Sequence, residues 1–250
     1  MKNKTQIFID ELVSIQTSKI LSIEILGSRK GENDITISDI DFLIICKRKK
    51  DANSVFEIAL HAQEKIFKIK PTKINRVIQK FFLGSNNYCG IHLIILGRDE
   101  FDDNFRPVSF RLRFMTKLVG RNLFLHEMRR NHHLLYGKNL FDEIRIEHPG
   151  FSEKLACFLF PSIILLFLLP TLLFSRRTFK IWCFKAIKYH NISLRAYAKI
   201  AGLEYVFNDT LFNTAKIFRY KPDEYLNNPI ILYTQAYRHI FGNLSFLWKT

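Results

Sequence analysis

Two carboxylates set two residues apart at the head of an apolar strand constrain this chain more than any other feature. An apolar run (Ile23, Ile25, Leu26) ends in Gly27-Ser28. A polar loop follows, and Asp39 and Asp41 then flank Ile40 and lead into Phe42-Leu43-Ile44-Ile45. Side chains alternate along a strand, so Asp39 and Asp41 point the same way. Two like charges that close repel each other and raise one pKa unless a cation neutralises them. Oxygen donors on a rigid strand suit Mg²⁺, which keeps waters and often shares substrate phosphates. The competing reading is a strand-edge pair that caps a turn, since Asp and Ser favour turns.

The surrounding pattern is that of an α/β domain. Residues 4–19 place Ile7, Phe8, Leu12, Val13 and Ile15 at helical spacing, and residues 20–26 alternate as a strand. Gly27 permits a tight turn or a close backbone approach. Residues 40–46 form a nearly all-apolar strand, as expected when both faces are covered. Lys47–Asp51 reads as a basic loop, residues 54–69 as a helix broken by Pro71, and Gly84–Asn87 as a turn. Residues 73–83 fit strand or helix. Residues 90–97 are a buried strand between glycines, with His92 as its one central polar group. Residues 108–136 are mostly helical in pattern, and Gly137 is placed to end that helix as a C-cap. His126, His132 and His133 could suggest a metal cluster. On a helix, though, adjacent side chains diverge by about 100°, which favours plain surface histidines.

Pro149-Gly150 is the best domain boundary: it divides residues 1–148 from a helical C-terminal domain, 149–250. Leu155–Phe174 holds twenty residues without a charge. At about 1.5 Å per residue it is long enough to cross a bilayer core of about 30 Å. A single span would export the basic stretch that begins at Arg176-Arg177, against the positive-inside tendency. The preferred reading is a buried helical hairpin bent at Pro161 and Pro170, with membrane contact as the alternative. The aromatic-rich tail, Tyr205 to Trp248, is read as core of this second domain.

The formal net charge of +15 in 250 residues implies attraction to phosphate-rich or acidic partners. A nucleotide satisfies that, and nucleic acid is the less favoured partner. Cys46, Cys89, Cys157 and Cys183 form no zinc-like spacing and no disulfide scaffold. With the charged start from Met1 to Leu12, they point to a cytoplasmic protein. Oligomeric state is not legible.

Gly27-Ser28-Arg29, a short loop and Ser38-Asp39-Ile40-Asp41-Phe42-Leu43 resemble the motif of the nucleotidyltransferase superfamily. These are polymerase-beta-like enzymes that include antibiotic-adenylating and minimal bacterial nucleotidyltransferases. Leu135-Tyr136-Gly137-Lys138-Asn139-Leu140 is similar to the segment that often closes the first domain in such proteins. The resemblance covers residues 5–145. It implies an α+β core with a mixed sheet flanked by helices, and an all-helical C-terminal domain closing one wall of the cleft. It implies that Ser28, with the backbone near Gly27, holds the phosphates of ATP or another nucleoside triphosphate. Arg29 would also contact phosphate. Asp39 and Asp41 would bind Mg²⁺ during transfer of AMP to a hydroxyl of a small molecule or protein. One departure stands out: where the family places a third acid on a later strand, this chain has His92. That leaves three readings. His92 acts as base or substrate contact; another carboxylate, such as Asp99 or Glu100, reaches the site; or the domain is a degenerate binding module.

Overall fold

Strand β1 (Ile20–Leu26) carries a partner on each side, and that double pairing organises the first half of the chain. The structure, a computed structural model, describes residues 4–26, 40–68, 91–170, 176–204 and 229–248. The ambiguous stretch 73–83 and the expected turn Gly84–Asn87 lie outside the described residues.

The sheet runs in the order β3-β2-β1-β4. Strand β2 (Ile40–Cys46) is antiparallel to β1, and β3 (Ile91–Gly97) is parallel to β2. Helix α1 (Lys4–Gln16) precedes β1, and α2 (Lys49–Phe67) follows β2. Ile23 stands opposite Ile44, and Ile25 opposite Phe42. These four side chains share one core with Phe8 and Leu12 of α1, Val55 and Ala59 of α2, and Leu93 and Ile95 of β3. The Phe8 ring lies 4.9 Å from Phe42 and 5.8 Å from Phe67. One face of the sheet is therefore apolar and helix-covered. Ser22, Glu24, Leu26, Asp41, Leu43 and Ile45 belong to the other face by alternation.

Two expectations are corrected. The basic stretch after β2 is not a loop beyond Arg48, because α2 begins at Lys49. Arg48 occupies its N-cap and pairs with Asp51 at 2.9 Å. An acid in the first turn favours helix initiation there. The second correction concerns residues 108–136. Helix α3 (Phe110–Val119) stops at Gly120, whose φ is +83, and α4 (Arg121–Asn131) follows. His132–Gly137 is then strand β4, antiparallel to β1. Pairing with β1 overrides the helical pattern of these residues. Gly137 is therefore no helix cap. Its φ is +83, and a Cβ there would collide with the Leu21 carbonyl oxygen of β1.

The chain divides into two compact units. One draws on Met1–Met115 and Glu127–Arg145, the other on Thr116–His126 and Ile146–Thr250. The second unit contains α5 (Phe151–Leu168), α6 (Arg176–Ala201) and α7 (Pro229–Gly242). Helix α5 runs straight through Pro161, so no hairpin bends at that residue. One of its faces joins the helical core through Cys157, Phe158, Leu165 and Leu168. Phe151, Leu155, Leu159 and Leu166 form a second, exposed stripe. By length and composition alone α5 is long and apolar enough to cross a membrane.

Polar groups inside this unit are held in three ways. Lys154 is 2% exposed, with its ammonium over the rings of Tyr197 and Phe246. His190 donates from Nδ1 to the Cys157 carbonyl at 2.9 Å. His239 Nε2 lies 2.8 Å from Asn191 Oδ1. Burial pushes His190 down to about 4, against the pull of its backbone hydrogen bond, and burial also lowers His239.

Two outcomes are expected. Gly137→Ala forces a side chain into β1 at positive φ, and should destabilise the sheet unit by at least about 2 kcal/mol in chemical denaturation. The unfolded chain binds protons at its histidines near 6.5 and folded His190 only near 4. Stability is therefore complete above about 6.5 and is lost as pH falls towards 4. For His190 the loss is on the order of 2–3 kcal/mol. Melting curves from pH 7.5 to 4.5 should show this decline, and it should be shallower in His190→Gln.

Candidate functional site

The sheet face turned away from α1 and α2 carries the acid that the sequence marks out. Asp41, at the head of β2, stands opposite Leu26 on β1 and beside His92 on β3. The β1–β2 ladder is regular from Ser22 to Leu26, so the phase of both strands is unambiguous there. Asp41 is half-buried. Gly27, Ser28, Arg29 and Asp39 lie outside the described residues. The backbone of His92 is described, and its register sets it directly next to Asp41. The structure thus brings together two of the expected positions, Asp41 and His92, on adjacent strands.

The other acids considered for the third position are committed elsewhere. Asp99 and Glu100 follow the C-terminal end of β3, whereas His92 lies at its start. At about 3.3 Å per strand residue, that is on the order of 15 Å from the Asp41 row. Asp99 Oδ1 accepts from the Lys49 amide at 2.6 Å. Glu100 is 2% exposed, accepts from the Gly97 amide, and pairs with Arg111 at 3.3 Å and Lys49 at 3.7 Å. Both serve to join β3 to α2 and α3. His132 and His133 lie on β4 and not on a helix, so their side chains point to opposite faces. His132 donates from Nδ1 to the Arg129 carbonyl at 2.7 Å and packs on the Phe141 ring. No group of three His, Cys, Asp or Glu side chains suited to a metal occurs among the described residues.

Glu24 is the residue that sequence reasoning passed over. It lies on β1 opposite Leu43, so Asp41 is its diagonal neighbour on the same face. Such neighbours are about 7–8 Å apart at Cα. Glu24 is 0% exposed, and neither of its carboxylate oxygens accepts a hydrogen bond from a described residue. Burial pushes its carboxyl up to about 7. The Ser22 hydroxyl, close by on the same face, opposes the rise without completing a hydrogen bond, and the charge of Asp142 adds to it. Glu24 thus puts a second carboxyl, with no hydrogen-bond partner among the described residues, on the face of Asp41. That donor chemistry suits a hard divalent cation. The signal in the sequence was the alternation Ser22, Glu24, Leu26, but its phase relative to Asp41 depends on a strand register that residues 27–39 do not reveal.

No protein-family model matches the sequence, and no curated protein matches it. The fold does have a solved counterpart. The spectinomycin adenyltransferase AAD(9) from Enterococcus faecialis, crystallised with ATP and spectinomycin, is similar over 96% of this chain and 97% of its own, with a TM-score of 0.52 and 13% identity. The mixed four-stranded sheet flanked by helices, followed by a helical unit, thus shares the fold of that adenyltransferase.

The state of Glu24 predicts a pH dependence of opposite sign to that of the histidines. Its folded carboxyl ionises near 7 and its unfolded one near 4.5. Its contribution is complete below about 4.5 and is lost as pH rises through about 7. Glu24→Gln should remove this slope and raise the melting temperature above pH 7. The gain should be on the order of 2 kcal/mol, read by denaturation at pH 5 and pH 8.

Proposed function

We propose that the protein is a Mg²⁺-dependent nucleotidyltransferase that moves a nucleoside monophosphate, AMP from ATP, to a hydroxyl group. The observation that carries this reading is Gly27-Ser28 and Asp39-x-Asp41 spanning the β1–β2 connection of a nucleotidyltransferase fold. Ser28 and the backbone near Gly27 hold the terminal phosphates, with Arg29 as an added phosphate contact. Asp39 and Asp41 hold the metal. When bound, Mg²⁺ supplies charge stabilisation to the triphosphate and the departing pyrophosphate. The protein's own part is to orient the α-phosphorus in line with the acceptor oxygen and to keep both fixed. The surplus of basic residues draws the nucleotide to the protein. The similar adenyltransferase was crystallised with a small-molecule acceptor, which favours a small hydroxylated molecule over a protein here. The reaction belongs in the cytoplasm, where ATP is held.

A second reading rests on His92. A histidine beside Asp41 supplies no negative charge for Mg²⁺, which prefers oxygen. On that observation the domain is a nucleotide-binding or regulatory module with weakened catalysis. Calorimetry with Mg²⁺ and ATP separates the two, since a module that has lost the metal site binds ATP without metal dependence.

The direct test is pyrophosphate release from labelled nucleoside triphosphates in Mg²⁺, with candidate acceptors present. Wild type should release pyrophosphate in an acceptor-dependent way. The Asp39→Ala, Asp41→Ala double variant should fall about 100-fold or more. Equal release from both proteins would sink the reading.

A further inference from the structure

We propose that Glu24 supplies a third carboxylate to the divalent-cation site on the Asp41 face of the sheet, from strand β1, in place of the acid missing at His92. The proposal rests on the transferase reading and goes beyond it, because that reading takes no ligand from β1. Three observations carry it. Register sets Glu24 and Asp41 on one face of adjacent antiparallel strands, as diagonal neighbours. Glu24 is fully buried, and both its oxygens lack a hydrogen-bond partner among the described residues. Another buried acid of this unit, Glu100, is by contrast bonded to the Gly97 amide and paired with Arg111 and Lys49.

The contrast between the two acids decides the matter. A buried carboxylate retained for structure is held by hydrogen bonds or a cation, because an uncompensated one is costly. Glu100 follows that rule and Glu24 does not. A cation placed between Glu24 and Asp41 removes the anomaly. It compensates the buried charge, and it completes an oxygen donor set of the kind Mg²⁺ and Mn²⁺ take. Position adds to this. In the order β3-β2-β1, strand β2 is flanked by β3 on one side and β1 on the other. An acid on either neighbour reaches the face of Asp41. His92 occupies one of these places without an acid, and Glu24 occupies the other with one.

The test is binding of the metal alone, without nucleotide or turnover. Mn²⁺ is titrated into full-length wild type, Glu24→Gln and Asp41→Asn, and free Mn²⁺ is read by electron paramagnetic resonance. Circular dichroism melts confirm that each variant folds. Glu24→Gln should bind Mn²⁺ about tenfold or more weakly than wild type, as should Asp41→Asn. Adding His92→Asp to Glu24→Gln returns an acid next to Asp41 and should recover part of the lost affinity. Wild-type affinity in Glu24→Gln, with weakened binding in Asp41→Asn, would overturn the role of Glu24 and leave the transferase reading standing. The absence of any Mn²⁺ site in wild type would instead remove that reading, and the proposal with it. A folded double variant with no recovery would count against a shared site.

Discussion

The register between β1 and β2 is the constraint on which the sheet unit depends. With Ile23 opposite Ile44 and Ile25 opposite Phe42, every second residue of both strands enters the aromatic core around Phe8 and Phe67. Asp41 and Glu24 then fall on the other face. A slip of one residue would exchange the faces. It would drive Asp41 and Glu24 among Phe8, Leu12 and Val55, where an unpaired charge costs several kcal/mol at least. The packing that forms the core therefore also fixes where the acids stand, and site and core are set by a single choice of phase.

Four buried ionisable groups make this clearer, because each is treated differently. Glu100 is paired and hydrogen-bonded. Lys154 keeps its ammonium over two aromatic rings, where the ring faces offset part of the lost hydration. His190 is held neutral with its Nδ1 hydrogen on a backbone carbonyl. Each arrangement satisfies the group within the fold. Glu24 has none of these supports, and its strand is an inner one, with a ladder on both sides. The fold cannot relax around it by moving the backbone. Local conflict at an otherwise consistent position is where a functional demand shows itself.

Strands β1 and β2 were legible in the sequence because each is a short apolar run bounded by polar residues, and the structure gives them the same limits, 20–26 and 40–46. Strand β4 was hidden. His132-His133-Leu134-Leu135-Tyr136 has no clean alternation and continues a helical pattern, and only pairing with β1 makes it a strand. The start of α2 was hidden for another reason: Arg48, Lys49 and Lys50 look like a basic loop until Asp51 is seen to pair with Arg48. On the face of Asp41, the motif draws attention to Asp41 in the sequence, whereas nothing there draws attention to Glu24. Its relation to Asp41 is set by pairing across the connection 27–39, and local spacing carries no information about register.

The same geometry bears on how one fold can be built from sequences only 13% identical. Chemistry on a sheet needs charges at points in space, and adjacent strands offer more than one residue able to reach each point. Strand β2 carries one acid, Asp41. The strands on either side of it both have residues in register with the Asp41 end of the sheet, so either is a possible source of a further carboxylate. On the proposal above, an acid on β1 serves where β3 has none, and the apolar core on the opposite face is indifferent to the exchange. On this view His92 and Glu24 are a single feature, and an assessment of the site that inspects β3 alone would take relocation for loss.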